Sequence, residues 1–149
     1  MTEPAVRLRR APGAPADHPA PSRAHATDAG LDLRASVSVV IHPGQCRAVP
    51  TGWVWAIAPG YEGQVRPRSG RSLRCPELRI ANAPGTVDAG YRDEVKVIVH
   101  NTGDRVVGIE AGERIAQMVV SPVSLCVPVV VDELDETERG PAGFGSTGD

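Results

Sequence analysis

Aromatic side chains are scarce in this chain: one Phe, two Tyr and two Trp among 149 residues. A dense core then has to be built from Val, Ile, Leu and Ala, and that bias favours strands over helices. Cysteine is sparse as well. Cys46, Cys75 and Cys126 are odd in number, far apart and without a CxxC pair, which suggests neither a disulfide framework nor a zinc site and reads as reduced thiols. An excess of one charge is also lacking. A net charge of −2 and a pI near 6.1 leave no electrostatic footprint for a nucleic-acid polymer or an anionic membrane, although a few placed arginines suffice for one nucleotide. No stretch approaches the length of a membrane span and residues 1–10 hold no apolar leader region, so no membrane partner and a cytoplasmic location are expected.

Turn formers are plentiful: 16 glycines and 14 prolines punctuate short apolar runs without forming a low-complexity tract. The length suits one domain with a single core. Strands are expected at 5–9, 94–100, 105–109, 114–120 and 123–131, and a meander at 37–41, 45–49, 52–58 and 62–66. Between the first of these and the meander, 11–27 reads as an extended Pro/Ala-rich loop. The clearest alternation is in 94–100, where Val95, Val97 and Val99 share one face. Only 69–75 and 132–138 offer a helical turn or two. The expected fold class is therefore all-β, a sandwich or barrel with the jelly roll included, over residues 1–138. Residues 139–149 hold four glycines and a single aromatic, so they are expected as a mobile arm outside the core.

Four segments carry groups with chemical potential. In Asp28-Ala29-Gly30-Leu31-Asp32-Leu33, Asp32 points away from its two leucine neighbours and is a reasonable oxygen partner for Mg²⁺; a turn with solvated carboxylates is the plainer reading of that segment alone. Pro67-Arg68-Ser69-Gly70 sets a guanidinium, a hydroxyl and backbone N–H groups at a possible helix start, which suits phosphate oxygens but is also ordinary turn chemistry. Asn82-Ala83-Pro84-Gly85-Thr86-Val87-Asp88-Ala89-Gly90-Tyr91 is turn-rich; its Asp is a candidate general base and its Tyr a flat wall for a sugar. Finally, Arg139-Gly140-Pro141-Ala142-Gly143-Phe144-Gly145-Ser146 has the parts of a lid: charge for phosphate, a ring for a base and a hydroxyl for hydrogen bonds.

Taken in order, with Gly112-Glu113-Arg114-Ile115-Ala116-Gln117-Met118 before the last, these segments resemble the five motifs of the trimeric dUTPase family, from about Ser22 to the C-terminus. The resemblance implies a jelly-roll subunit of β-clip type with a flexible Gly-rich C-terminal arm, in a homotrimer whose active sites are shared between subunits. It implies hydrolysis of dUTP to dUMP and pyrophosphate by water attack on the α-phosphorus, with Mg²⁺ as cofactor, which keeps uracil out of DNA and supplies dUMP for thymidylate synthesis. On that pattern Asp88 is the catalytic base, and Asp32 holds the metal through water. Arg68, Ser69, Gly70 and Gln117 meet the phosphates. Asn82, Thr86, Val87, Tyr91 and Lys96 meet the nucleoside. Arg139, Phe144, Gly145 and Ser146 act from the arm, Arg139 on the γ-phosphate and Phe144 stacked on uracil. The dCTP deaminases share the fold, but no obvious glutamate stands beside the third motif here.

Three departures from the family pattern are visible. Pro141-Ala142 stands where a variable residue and then glycine are common, so the arm is expected to be less flexible. Arg71-Ser72 replaces the usual Leu-Ala after Gly70, and the stretch 69–82 is one residue longer, which puts the local helix in doubt. Arg71 and Arg74 are expected on solvated surface, with added charge near the phosphates as the alternative.

Overall fold

The structure, a computed structural model, describes residues 6–138, 140 and 141. Its elements are β1 (Arg7–Arg10), β2 (Gly30–Arg34), β3 (Val39–Ile41), β4 (Cys46–Ala56), β5 (Tyr61–Arg66), α1 (Ser69–Arg74), β6 (Leu78–Ile80), β7 (Gly85–Val87), β8 (Glu94–Asn101), β9 (Val107–Ile109) and β10 (Arg114–Pro122). The strands form two four-stranded sheets, ordered β1-β4-β8-β6 and β2-β10-β5-β7, with β3 and β9 paired on their own. Every pairing is antiparallel.

That order corrects the expected meander. β3 pairs with β9, β4 with β1 and β8, and β5 with β10 and β7, so consecutive strands of this region are not neighbours. The chain crosses between sheets as a jelly roll does, and the same apolar alternation serves either arrangement. A second correction concerns the break expected between the strands at 45–49 and 52–58, where Thr51-Gly52 has the composition of a turn. Here β4 runs on as one strand of 11 residues, and Pro50 pairs with Lys96 while Val54 pairs with Glu94. The surplus residues form a bulge. Gly52 sits there at φ +76 and donates its N–H to Glu94 Oε1 at 2.6 Å, while Thr51 Oγ1 donates to the Val95 carbonyl at 2.6 Å. A Cβ on Gly52 would lie 2.9 Å from the His18 ring, so both the backbone angle and the space call for glycine.

The core lies between the two large sheets. From one side come Val95, Val97 and Val99 of β8, buried as the alternation implies, with Val49 and Trp55 of β4; from the other come Leu33 of β2, Val65 of β5, and Ala116 and Met118 of β10. Burying each of the larger side chains stabilises the fold by about 1.5–3 kcal/mol.

The loop at 11–27 is fastened to this body. The Arg10 guanidinium lies 4.6 Å from the centre of the Trp53 ring and donates to the carbonyls of Pro15 and His18 at 2.7 and 2.8 Å. Trp53 Nε1 donates to the Pro19 carbonyl at 3.0 Å, and His18, itself buried, stands 2.9 Å from the Thr51 carbonyl oxygen. One of the few aromatics is thus used to pin a loop that has no ladder of its own.

Two further expectations are corrected at the other end. Residues 123–131 form no strand, and 132–138 no helix. Leu125, Val127, Val129 and Val130 are largely exposed, Val130 at 98 %. The apolar pattern in 123–131 is real, but among the described residues it meets no partner strand, and a strand exists only through its ladder.

Candidate active site

Asp32 stands in the middle of β2, opposite Gln117 of β10. Its inward neighbour Leu33 is in the core, so the carboxylate faces the other way, with its side chain 14 % exposed. Arg68 Nε lies 2.8 Å from one of its oxygens and Arg114 Nη1 3.2 Å from the other. A carboxylate that engages two guanidiniums fixes both heads at the mouth of a pocket. That pocket, about 380 Å³, is lined by Asp28, Asp32, Arg68, Ser69, Arg114 and Gln117, with Gly70 and Arg74 beside them. Three arginines against two aspartates leave a positive balance, which suits a polyanion.

Two close contacts shape this wall. Gln117 Nε2 donates to the carbonyl of Pro67 at 2.9 Å, holding the residue that leads into Arg68 and α1. Gly30, at the start of β2, leaves the space that the Gln117 amide fills: a Cβ there would lie 2.2 Å from Oε1. The helix that 69–75 suggested is present as α1, in spite of the Arg71-Ser72 departure. Arg74 is exposed, as expected, and lines the pocket, whereas Arg71 contradicts the surface expectation: it is buried and bonded to Glu113.

The second group of predicted residues gathers elsewhere. Asn82, Thr86, Val87, Asp88, Tyr91 and Lys96 line a cavity of about 310 Å³, with an apolar floor from Val65, Val95 and Ile98. β7 is laid against β5 with Gly63 opposite Val87 and Val65 opposite Gly85, and the peptide bond between Ala83 and Pro84, just before β7, is cis. Beyond β7 the chain turns back, Tyr91 N–H donating to the Asp88 carbonyl at 3.0 Å. The Tyr91 hydroxyl donates to the Glu94 carbonyl at 3.0 Å, so the ring is held flat along the cavity wall while Asp88 stays exposed. An apolar floor with hydrogen-bonding backbone at its edge and a ring at its side has the form of a site for a base and a sugar.

The two pockets share no lining residue. The chain thus presents two separate pockets, one rich in arginine and one with an apolar floor. Arg139, Phe144, Gly145 and Ser146 lie outside the described residues. Among the described residues no three His, Cys, Asp or Glu side chains gather to hold a metal ion. Arg114 was not singled out from the sequence: it and Gln117 are an odd number of positions apart, and only a shift in register between Arg114 and Ala116 brings both to the Asp32 side.

Comparison with known proteins bears on both pockets. A family model described as dUTPase matches residues 16–148. A deoxyuridine 5'-triphosphate nucleotidohydrolase of Methylocella silvestris is 46 % identical over 153 residues, covering 99 % of this chain and 94 % of that protein. Among solved structures, a Staphylococcus bacteriophage 80alpha dUTPase with dUPNHPP superposes with a TM-score of 0.88 at 28 % identity, covering 97 % of this chain and 99 % of that one. A dUTPase of phage phi11 of S. aureus, described with a structural Mg(II) ion, shares the fold with a TM-score of 0.79 at 23 % identity, covering 89 % of this chain and 99 % of that one.

Proposed function

The chain belongs to the dUTPase family and hydrolyses dUTP to dUMP, and from that premise we propose how its residues divide the work. The uracil and deoxyribose enter the cavity of Asn82, Thr86, Val87, Tyr91 and Lys96. The edge of the β7 hairpin pairs with the uracil edge, and Tyr91 closes the space that a ribose 2′-hydroxyl needs. Cytosine sets an amino donor against a donor there, and a mispaired buried group costs about 1–3 kcal/mol.

The triphosphate lies along Arg68, Ser69, Gly70 and Gln117, with Arg74 and Arg114 adding positive charge. Asp88 orients a water and takes its proton as the oxygen attacks the α-phosphorus. The bond from the α-phosphorus to the bridging oxygen breaks, and its electron pair leaves with pyrophosphate, whose charge the arginines stabilise. Arg139 and Phe144, with Gly145 and Ser146, close over the γ-phosphate and the base from residues 139–149, a C-terminal arm that follows the domain at 1–138. Ordering such an arm costs about 1–2 kcal/mol of backbone entropy per residue, so closure is reserved for the full triphosphate.

Both Asp32 oxygens are engaged by guanidiniums, and no set of three His, Cys, Asp or Glu ligands gathers among the described residues. The donor chemistry fits a Mg²⁺ ion chelated by the substrate and held by Asp32 through water. Such an ion supplies charge neutralisation on the phosphate oxygens.

The observation that carries this reading is the division into an anion pocket and a nucleoside pocket with no residue in common. Asp88 belongs to the nucleoside half and the phosphate binders to the other, a division that supports a working site built from more than one copy. The exposed valines of 123–131 are a surface suited to such an assembly. The family resemblance makes the assembly a homotrimer. The test is pyrophosphate release from dUTP, dCTP, dTTP and UTP, each with Mg²⁺ and with EDTA. Selective cleavage of dUTP that chelation weakens is the expected outcome, and Asp88→Asn should lower kcat by at least about a hundredfold with binding retained. Normal turnover in that variant would remove Asp88 from the mechanism.

A further inference from the structure

We infer that the ion pair between Arg71 and Glu113 is a positioning device for the phosphate half-site, an inference that rests on the reading above. α1 has six residues, too few to hold itself in place, and it begins without a side-chain cap. Arg68 at its N-cap makes no side-chain hydrogen bond there, and the first turn has no acid. Its apolar residue, Leu73, is 84 % exposed. The only side chain that α1 buries is Arg71. Gln117 and Asp32 hold the chain at Pro67 and Arg68, ahead of the helix, and within α1 the placement of Ser69 and Gly70 depends on what Arg71 grips.

Arg71 Nη1 bonds Glu113 Oε1, and the other oxygen of Glu113 accepts the Glu110 N–H at 3.2 Å. Glu113 belongs to the turn between β9 and β10, which is fixed from several sides. Its carbonyl accepts the Ala35 N–H at 2.9 Å, the Gly112 N–H donates to the Ala35 carbonyl at 2.8 Å, and Arg34 donates to the Gly112 carbonyl at 2.8 Å. The next residue after Glu113 is Arg114, whose guanidinium lies on Asp32. One ion pair thus ties the two walls of the pocket together, Ser69 and Gly70 through α1 and Arg114 through β10. The leucine usual at this position in the resembled family has no charge with which to grip Glu113. A guanidinium this buried is costly to leave without its acid, so either partner alone is a liability.

The test uses the full chain with Glu113→Gln, Arg71→Met, Arg71→Lys and the double variant Arg71→Met/Glu113→Gln. Calorimetry with an uncleavable imido analogue of dUTP and with dUMP separates the phosphate half from the nucleoside half, and melting temperature and steady-state kinetics accompany it. Each apolar or neutral single variant should weaken the triphosphate analogue and raise KM for dUTP by roughly tenfold, with dUMP affinity changed by less than about threefold. The double variant should be no worse than the poorer single, and Arg71→Lys should recover most of the loss. Unchanged affinity for the analogue at a lowered melting temperature, a parallel loss for both ligands, or losses that add in the double variant would each overturn the inference. If Arg71→Met does not fold, Glu113→Gln, which keeps the side-chain shape, decides alone. An unsubstituted chain that bound neither ligand would instead sink the dUTPase reading, and the inference with it.

Discussion

Replacing Gly30 by alanine tests whether the phosphate wall depends on the close approach of β2 to Gln117. A Cβ at this position lies 2.2 Å from Gln117 Oε1, 3.0 Å from Cδ and 3.1 Å from Cβ. An ordinary contact needs more than a further ångström from the amide oxygen, so the end of Gln117 has to swing away. The hydrogen bond to Pro67 goes with it, a loss of about 0.5–1.5 kcal/mol, and inserting the methyl into a filled space adds about 1–3 kcal/mol. For a chain of 149 residues each kcal/mol lowers the melting temperature by roughly 2–4 °C, so a fall of about 3–18 °C is expected. The site is affected as well, because Pro67 leads into Arg68 and Ser69. KM for dUTP should rise about tenfold or more, whereas dUMP affinity, governed by the other pocket, should hold. Differential scanning calorimetry and pyrophosphate release measure the two effects, and the double variant Gly30→Ala/Gln117→Ala should recover much of the stability by removing the clashing amide. A Gly30→Ala protein with unaltered melting temperature and KM would refute the argument.

Two other perturbations address different parts of the molecule. Arg10→Ala removes the cation from the Trp53 ring and two hydrogen bonds that pin 11–27, so stability to urea should fall by about 1–3 kcal/mol while kcat per folded site stays constant. The pair Val127→Asp/Val129→Asp places charge on side chains that are exposed in the single chain and so should leave the fold intact; by analytical ultracentrifugation it should shift the protein toward monomer, and activity should fall with the oligomer. A double variant that remained fully assembled would exclude 123–131 from the interface.

Much of the local structure was legible beforehand. The alternation in β8 put Val95, Val97 and Val99 on one face, and they are buried there. Ser69 to Arg74 folds as the short helix suggested, and Asp32 faces away from its leucine neighbours. What escaped were features that depend on register. The Thr51-Gly52 pair reads as a turn, yet Glu94 captures the Gly52 N–H and β4 continues through a bulge. Arg71 reads as surface because an arginine seldom buries itself, and nothing near it in sequence shows that Glu113, 42 positions on, will meet it. Residues 123–131 carry a strand pattern that finds no partner among the described residues.

Side-chain alternation and turn formers act over a few residues, so the class of fold, the faces of the strongest strands and the order of the segments that carry chemistry could be read along the chain. Tertiary structure alone decided which strands are neighbours, which arginines reach Asp32 and that the predicted residues divide into two pockets. Those outcomes follow from hydrogen-bond register between strands far apart in the chain, and a single bulge, such as the one between Arg114 and Ala116, moves a side chain from one face of a sheet to the other.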